Sequence, residues 1–248
     1  MSDLVLVGTV HLDPEGRKSL YKTIERFSPG VLTIEISSFS VRYRLSNQDG
    51  WLHRLKDLTC RLPEERRSHA GLKLLNLQLR LPFEWDTAYR YSKIHNIPCL
   101  SIDSGDLARK ELPLWKNRLL SMENLIKITD GPDFDLDDHF KNCYSQAKIL
   151  LKDPYDSAKS LSCLSHLSDR SWIEREKTLE NRIRRIHKNG LLNAGYSKTK
   201  TDHVHICGWM HLLTGYKWRT MADLLSDLTP VRVLLNRTKN GEPDHLMV

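Results

Sequence analysis

An apolar run, a predicted helix and a second apolar run open the chain, and this order constrains the fold most. Leu4–Val7 is a short continuous apolar run, typical of a fully buried strand. Asp13 and Pro14 suit the start of a helix, and Ser28-Pro29-Gly30 ends it before the run VLTIEI at 31–36. The intervening segment has the length of a crossover between parallel strands. The sequence therefore predicts an α/β fold with a mainly parallel central sheet flanked by helices.

Later segments extend this pattern along the chain. Apolar runs predict strands at IPCLSID, VHIC and VRVLL, which end at residues 103, 207 and 235. Helices are expected over about 64–80, 82–95, most of 106–190 and 218–227, while the basic segment 39–62 shows no clear pattern. No linker or repeat interrupts the chain, so we expect one domain over 1–248 with a polar, disordered tail from about 238.

Composition removes several classes of protein. The 38 basic and 31 acidic residues leave a net charge of +7, but the basic residues are spread out and no zinc finger or RNA-recognition motif is present. Nucleic acid is therefore not the expected partner. No apolar run approaches the roughly 18–20 residues of a membrane span. The five cysteines form no CxxC pair, which favours a soluble protein of the reducing cytoplasm.

Ionisable side chains follow four of the predicted strands. The motif GxxH occurs twice, at 8–11 and at 208–211, each time directly after an apolar run. Two other strands end in a carboxylate. In open α/β sheets, ligands bind at the carboxyl ends of the strands, and a glycine there lets the backbone turn sharply. We expect one site built from His11, Glu35, Asp103 and His211.

This set of side chains suits two kinds of hydrolytic chemistry. Two histidines and a carboxylate can bind zinc, manganese or cobalt, and such a metal lowers the pKa of a bound water. Alternatively, one histidine is the general base for water and a carboxylate holds it, without a metal. No GxSxG motif or glycine-rich phosphate loop supports another scheme. His203 and His205 share one strand face, where we expect hydrogen-bonded or edge positions.

Four segments together resemble the TraB/PrgY family, which is related to the TIKI metalloproteases and to ChaN-like and erythromycin-esterase-like proteins. The opening VGTVHLDPEGRKSLYKTIERFSPGVLTIEI is similar to the strand, GTxH, helix and Glu-ended strand of that family. FEWDTAYRYSKIHNIPCLSID resembles its Glu-bearing helix and Asp-ended strand, EREKTLENRI its ERD helix, and HVHICGWMHLLTG its second GxxH element. These segments occur in the family's order between residues 4 and 216.

The resemblance implies a TraB-like (EreA/ChaN-like) fold with both GxxH motifs facing one cleft. It implies a divalent-metal hydrolase, peptidase-like in the TIKI branch, whose metal ligands are His11, Glu35 and His211. Glu174 and Arg175 of the ERE helix, together with Asp103, then belong to the catalytic set, and Arg175 suits a substrate carboxylate or a developing oxyanion.

The chain departs from the family pattern at three places. Trp209 and Met210 are bulky where the second GxxH motif usually has small residues, Ser104 replaces an arginine, and Leu179 replaces a methionine. Three hypotheses follow, of which the third is a basic protein that associates with nucleic acid. The first is a cytoplasmic, metal-assisted hydrolase of a peptide or small molecule. The second is a non-enzymatic protein that binds or sequesters a peptide, haem or other small ligand on the same scaffold, with Trp209 and Met210 as apolar contacts.

Overall fold

The computed structural model describes residues 4–152, 161–189, 202–216, 219–235 and 246–247, and its centre is one β-sheet. The strand order is β3-β2-β4-β1-β5-β6, and β1 to β5 all run parallel. Only β6 is antiparallel, to β5. The predicted α/β class with a mainly parallel sheet is confirmed. The strands are β1 (Leu4–Thr9), β2 (Val31–Ile34), β3 (Cys99–Ser101), β4 (His203–Gly208), β5 (Val231–Leu234) and β6 (Leu246–Met247).

The two central strands, β1 and β4, carry the two GxxH motifs. Both strands are buried along their whole length, as expected for the middle of a sheet with helices on its faces. Their register pairs Gly8 with Cys207 and Thr9 with Gly208, so the two motifs leave the sheet side by side.

Ten helices accompany the sheet in the described part of the chain. Ser28 caps the C-terminal end of α1, and Asn96 caps that of α4. Each of these residues takes the left-handed conformation that often closes a helix. The helices are α1 (Gly16–Phe27), α2 (Ser38–Cys60), α3 (Ala70–Leu79), α4 (Phe83–His95), α5 (Asp106–Glu111), α6 (Trp115–Arg118), α7 (Met122–Thr129), α8 (Leu136–Lys152), α9 (Arg170–Asn189) and α10 (Met221–Leu224).

The segment 39–62, which the sequence pattern left unassigned, forms most of the long helix α2. The Ser37 hydroxyl accepts a hydrogen bond from the Ser40 backbone amide (3.0 Å) and caps its start. Its apolar face is sparse in the first half, and only Trp51, Leu55 and Leu58 later show helical spacing and burial. The helix is held by packing rather than by a strong amphipathic pattern, which explains why the pattern did not reveal it.

Several element boundaries differ from the prediction. The helix expected to start at Asp13 and Pro14 begins at Gly16, and the strands expected over 31–36 and 97–103 are Val31–Ile34 and Cys99–Ser101. The helix expected over 64–80 is split into a 3₁₀ turn at Glu64–Arg66 and α3, and the one expected over 218–227 is the short α10 followed by a 3₁₀ turn at Ser226–Leu228. Within the tail predicted to be polar and disordered, residues 246–247 pair with β5, and 238–245 and 248 lie outside the described residues.

Apolar packing forms a main core around the sheet and a smaller cluster among helices. The main core includes Leu6, Leu32 and Val204, all fully buried. The smaller cluster joins α2, α3 and α7 through side chains such as Trp51, Leu75 and Leu125. None of the helices that the structure describes is long and apolar enough to cross a bilayer.

Candidate active site

The two GxxH motifs interlock at the carboxyl edge of the sheet. A Cβ atom at Gly208 would lie 2.8 Å from His11 Nε2, the tip of the first motif. A Cβ atom at Gly8 would lie 2.5 Å from Leu212 Cδ1 and 2.9 Å from Trp209 Cα, both beside the second motif. Each glycine therefore makes room for the other motif. We expected Gly208 to provide a sharp turn, but its φ of −63° and ψ of 143° suit any residue, so the requirement is for space.

His11 forms a hydrogen-bonded pair with Glu84, in the first turn of α4. Its Nδ1 lies 2.8 Å from Glu84 Oε1, and the Thr9 hydroxyl donates to the same oxygen (2.9 Å). The Glu84 carboxylate is buried, whereas the His11 side chain is 54% exposed. Leu12 follows with a φ of 66°, a strained value for a non-glycine residue. The pair thus presents an imidazole to solvent with one ring nitrogen held.

The pKa of His11 is set by two opposing effects. Desolvation lowers it, but the hydrogen bond and charge of Glu84 and the charge of Glu35 outweigh desolvation, so the pKa lies above the ordinary 6.5. A carboxylate on Nδ1 favours the tautomer with hydrogen on Nδ1 and a lone pair on Nε2. His11 is therefore equipped to take a proton at Nε2.

Glu35, directly after β2, is the hub of a buried ionic cluster. Its Oε1 lies 2.9 Å from His211 Nε2 and 2.6 Å from Arg175 Nη2, and its Oε2 accepts the Gly208 backbone amide (2.8 Å). Burial alone would raise the pKa of Glu35, but the charges of His211 and Arg175 hold it well below the ordinary 4.5. The carboxylate is therefore ionised and fixes three partners around it.

His211 lies between two carboxylates. Its Nε2 contacts Glu35, and its Nδ1 lies 2.5 Å from Oε1 of Glu176, which is fully buried on α9. The Trp172 ring stacks on the imidazole with a centroid separation of 4.8 Å and an angle of 13°. Burial lowers the pKa of His211, but Glu35 and Glu176 raise it to about 10. His211 is thus a buried imidazolium that positions Glu35 rather than an accessible base.

Arg175 links the site to the third strand. Its Nη2 donates to Asp103 Oδ2 (3.1 Å) as well as to Glu35, and its Nε reaches Asp103 Oδ1 (3.4 Å). Nη1 has no hydrogen-bond partner among the described residues. Glu174, in contrast, is exposed and pairs with Arg170 one turn earlier (2.8 Å). The structure therefore brings Asp103 and Arg175 to the cluster, together with His11, Glu35 and His211, and leaves Glu174 on the surface.

Two residues of the cluster, Glu84 and Glu176, were not singled out from the sequence. Glu84 lies on the segment that resembles the Glu-bearing helix of the TraB family, and this resemblance is the signal in the sequence that points to it. Glu176 had a stronger signal, because it falls on one helical stripe with Leu179 and Ile183, which are fully buried. A glutamate on an apolar stripe indicates a paired buried charge. Its neighbour Glu174 has no such position.

Trp209 and Met210, the bulky pair within the second motif, are half buried and pack against the main core. Their size is therefore used at least in part for packing. A ligand contact by either side chain stays a prediction.

The arrangement does not fit a metal bound by His11, Glu35 and His211. Both ring nitrogens of His211 face carboxylates, and the imidazolium they favour has no lone pair for a metal. Within the described ranges, one group of three acidic side chains brings its possible metal-ligand atoms within 4.8 Å of one another. All three are exposed aspartates, and two of them form ion pairs with Lys141. These aspartates are Asp135, Asp137 and Asp138.

His203 and His205 form a second buried polar group behind the cluster. The Thr33 hydroxyl lies 2.7 Å from His203 Nε2 and 2.9 Å from His205 Nδ1, which joins the two rings across β2 and β4. Burial lowers the pKa of both histidines, to about 3 for His205. Of the two predicted alternatives, hydrogen-bonded positions are present, and the edge position is wrong because β4 is central.

Comparison with known proteins adds no relative: no protein family, curated protein or solved structure matches the chain.

Proposed function

We propose that this protein is a hydrolase of carboxylic esters or amides, peptides included, in which the His11–Glu84 pair activates water. The observation that carries the proposal is the 2.8 Å contact between Nδ1 of a half-exposed histidine and a buried carboxylate. A general base needs one fixed nitrogen and one accessible nitrogen; Nδ1 of His11 is fixed by Glu84, and the side chain that carries Nε2 is 54% exposed. This is the metal-free version of the two chemistries that the sequence suggests.

The proposed step moves one proton and forms one bond. Water donates a proton to His11 Nε2 as its oxygen attacks the substrate carbonyl carbon, and Glu84 stabilises the imidazolium that forms. Arg175 Nη1 is the candidate donor to the developing oxyanion, since its Nε and Nη2 are held by Asp103 and Glu35. The tetrahedral intermediate then collapses: its carbonyl forms again, the C–O bond of the ester or the C–N bond of the amide breaks, and His11 gives the proton from Nε2 to the departing alcohol or amine. Glu35 and His211 fix the guanidinium and the second motif.

The TraB/PrgY relationship, the EreA/ChaN-like fold and a cytoplasmic location are part of the same proposal. The meeting of the two GxxH motifs at one edge supports the relationship. The cysteines support the location, since the four described residues of this type are free thiols.

The test is hydrolysis of a panel of activated esters and peptides by protein purified without a histidine tag. We expect turnover that survives a chelator, and a loss of about 10²–10⁴-fold in kcat/KM for His11→Ala. His53→Ala is the matched control, because the His53 side chain is 78% exposed and, within the described ranges, forms its ion pair with Asp57 of the same helix, α2. Unchanged activity in His11→Ala contradicts the proposal. Activity that follows metal content supports the metal-assisted version instead, and ligand binding without turnover supports the sequestering hypothesis.

A further inference from the structure

A cavity of about 390 Å³ lies beside the His11–Glu84 pair, between the start of α1 and the connection from α3 to α4. Six of its ten lining residues are apolar, and two of the other four are arginines. The lining residues are Leu12, Asp13, Pro14, Arg17, Asn76, Leu77, Arg80, Leu81, Pro82 and Phe83.

Two of the chain segments that line this cavity are adjacent in sequence to the residues of the His11–Glu84 pair. Leu12 and Asp13 directly follow His11, and Pro82 and Phe83 directly precede Glu84. Neither His11 nor Glu84 itself lines the cavity, but Leu12 and Phe83, their immediate neighbours in the chain, do. The cavity is therefore a neighbouring space for a substrate held at His11.

The charge of the cavity is positive at Arg80. Its Nε donates to Asn76 Oδ1 (2.9 Å), and it forms no ion pair with any residue in the described ranges. Arg17 is balanced by an ion pair with Asp86. The carboxylate of Asp13 accepts hydrogen bonds from the Tyr144 hydroxyl (3.1 Å) and the Glu15 amide (3.0 Å), and the residue is only 1% exposed. Arg80 is thus the charge left for a ligand.

We infer that this cavity is a substrate subsite for an apolar chain that ends in a carboxylate. This inference rests on the proposed function and names its substrate class: an ester or amide with an apolar, negatively charged group on one side of the scissile bond. The apolar walls bury the chain, and the planar guanidinium of Arg80 matches the two oxygens of a carboxylate. A C-terminal apolar amino acid and an ω-carboxy acyl chain share this chemistry.

The test measures binding directly, so that it does not depend on turnover. Ligand-observed NMR titrations of the full chain use hexanoate, hexanol and hexyl phosphate as probes. We expect hexanoate to bind more tightly than hexanol, and Arg80→Gln to weaken hexanoate about tenfold with little effect on hexanol. Arg80→Lys should recover part of the loss. Arg66→Gln is the matched control, since Arg66 pairs with Asp130 away from the cavity.

Thermal unfolding checks that the Arg80→Gln and wild-type proteins are both folded. Equal binding of hexanoate by the two folded proteins would overturn the inference. If hexyl phosphate binds more tightly than hexanoate, and its binding depends on Arg80, the conclusion that the ligand ends in a carboxylate is overturned. If hexanoate binding depends on Arg80 but no ester or peptide is hydrolysed, the subsite stands and the proposed hydrolysis fails. Hydrolysis with equal kcat/KM for a neutral butyl ester and its ω-carboxy analogue would leave the function and overturn the subsite. A separate panel of peptides ending in Leu or in Leu-amide distinguishes the two sources of the carboxylate.

Discussion

Replacement of Gly208 by alanine tests whether the interlocking of the two GxxH motifs sets the position of His11. The new Cβ would lie 2.8 Å from His11 Nε2, about 0.6 Å inside the ordinary contact distance of 3.4 Å. The backbone of Gly208 accepts alanine without strain, so the cost falls on the histidine ring. Because the His11 side chain is 54% exposed, it has room to move.

The magnitude follows from the hydrogen bond that such a movement disturbs. A displacement or rotation of the ring by about this amount disturbs the 2.8 Å contact between His11 Nδ1 and Glu84 Oε1, because a hydrogen bond weakens when its distance or angle departs from the preferred range. Losing a hydrogen bond to a charged group costs about 1.5–3 kcal/mol. Gly→Ala returns about 0.4–1 kcal/mol by restricting the unfolded chain. We therefore expect a net destabilisation of about 1–2 kcal/mol and a fall in kcat/KM of about 10–100-fold.

The comparison variant is Gly8→Ala. Its Cβ would meet Leu212 Cδ1 at 2.5 Å and the Trp209 backbone at 2.9 Å, and a backbone atom in a central strand cannot move easily. Overpacking of this kind costs about 1–3 kcal/mol, and we expect the upper end. The Gly208 variant should therefore show the smaller loss of stability of the two variants together with a loss of activity, and the Gly8 variant should show the larger loss of stability.

Urea unfolding measures the stabilities, and imidazole ¹⁵N signals, assigned by comparison with His11→Ala, report the Nδ1 hydrogen bond. Full activity and an unchanged His11 signal in Gly208→Ala would refute the steric argument. Equal destabilisation by the two glycine variants would refute it as well.

Three further predictions concern the buried polar groups. The pKa of His211 is raised from 6.5 to about 10, so its contribution to stability is complete below pH 6.5 and is lost as the pH rises through 10. Urea unfolding of the wild-type protein should show this fall in the free energy of unfolding, and the free energy of the His211→Gln variant should depend less on pH. Thr33→Val should lower the free energy of unfolding by about 2–4 kcal/mol, because it removes the hydroxyl that contacts two buried imidazole nitrogens. Thr23→Val should lower it by about 1 kcal/mol, because the Thr23 hydroxyl makes one hydrogen bond within its helix. Equal losses in urea unfolding would contradict the bridging role of Thr33. Glu176→Ala should lower the free energy of unfolding by about 3–5 kcal/mol, whereas Glu174→Ala on the same helix should change it by no more than about 0.5 kcal/mol. Thermal unfolding measures both, and the reverse order would contradict the burial of Glu176 against His211.

The parallel sheet and the edge where the site lies could be predicted from the sequence because their signals are local. Short apolar runs ending in a glycine or a carboxylate mark buried strands and their exits, and parallel strands bring those exits to one edge. His11, Glu35, Asp103 and His211 were found in this way. The helix α2 carries no comparable signal, since its apolar face is sparse and tertiary packing completes it.

The pairing of the site residues could not be predicted, because it depends on side chains distant in the chain. Glu84 lies 73 residues from His11, and nothing in the sequence shows which carboxylate will reach the Nδ1 atom. The choice of Glu176 over Glu174 depends on a helical phase of two residues. That phase decides between a fully buried carboxylate and one exposed to solvent.

A double-mutant cycle in kcat/KM over His11→Ala and Glu84→Gln tests most directly the claim that these two residues act as one base. If Glu84 works through His11, then Glu84→Gln alone should cost about 10–100-fold, and the double variant should be no slower than His11→Ala alone. The pH profile of Glu84→Gln should also move to lower pH, because the carboxylate raises the pKa of His11. Losses that multiply across the cycle, or an unmoved pH profile, would contradict the account.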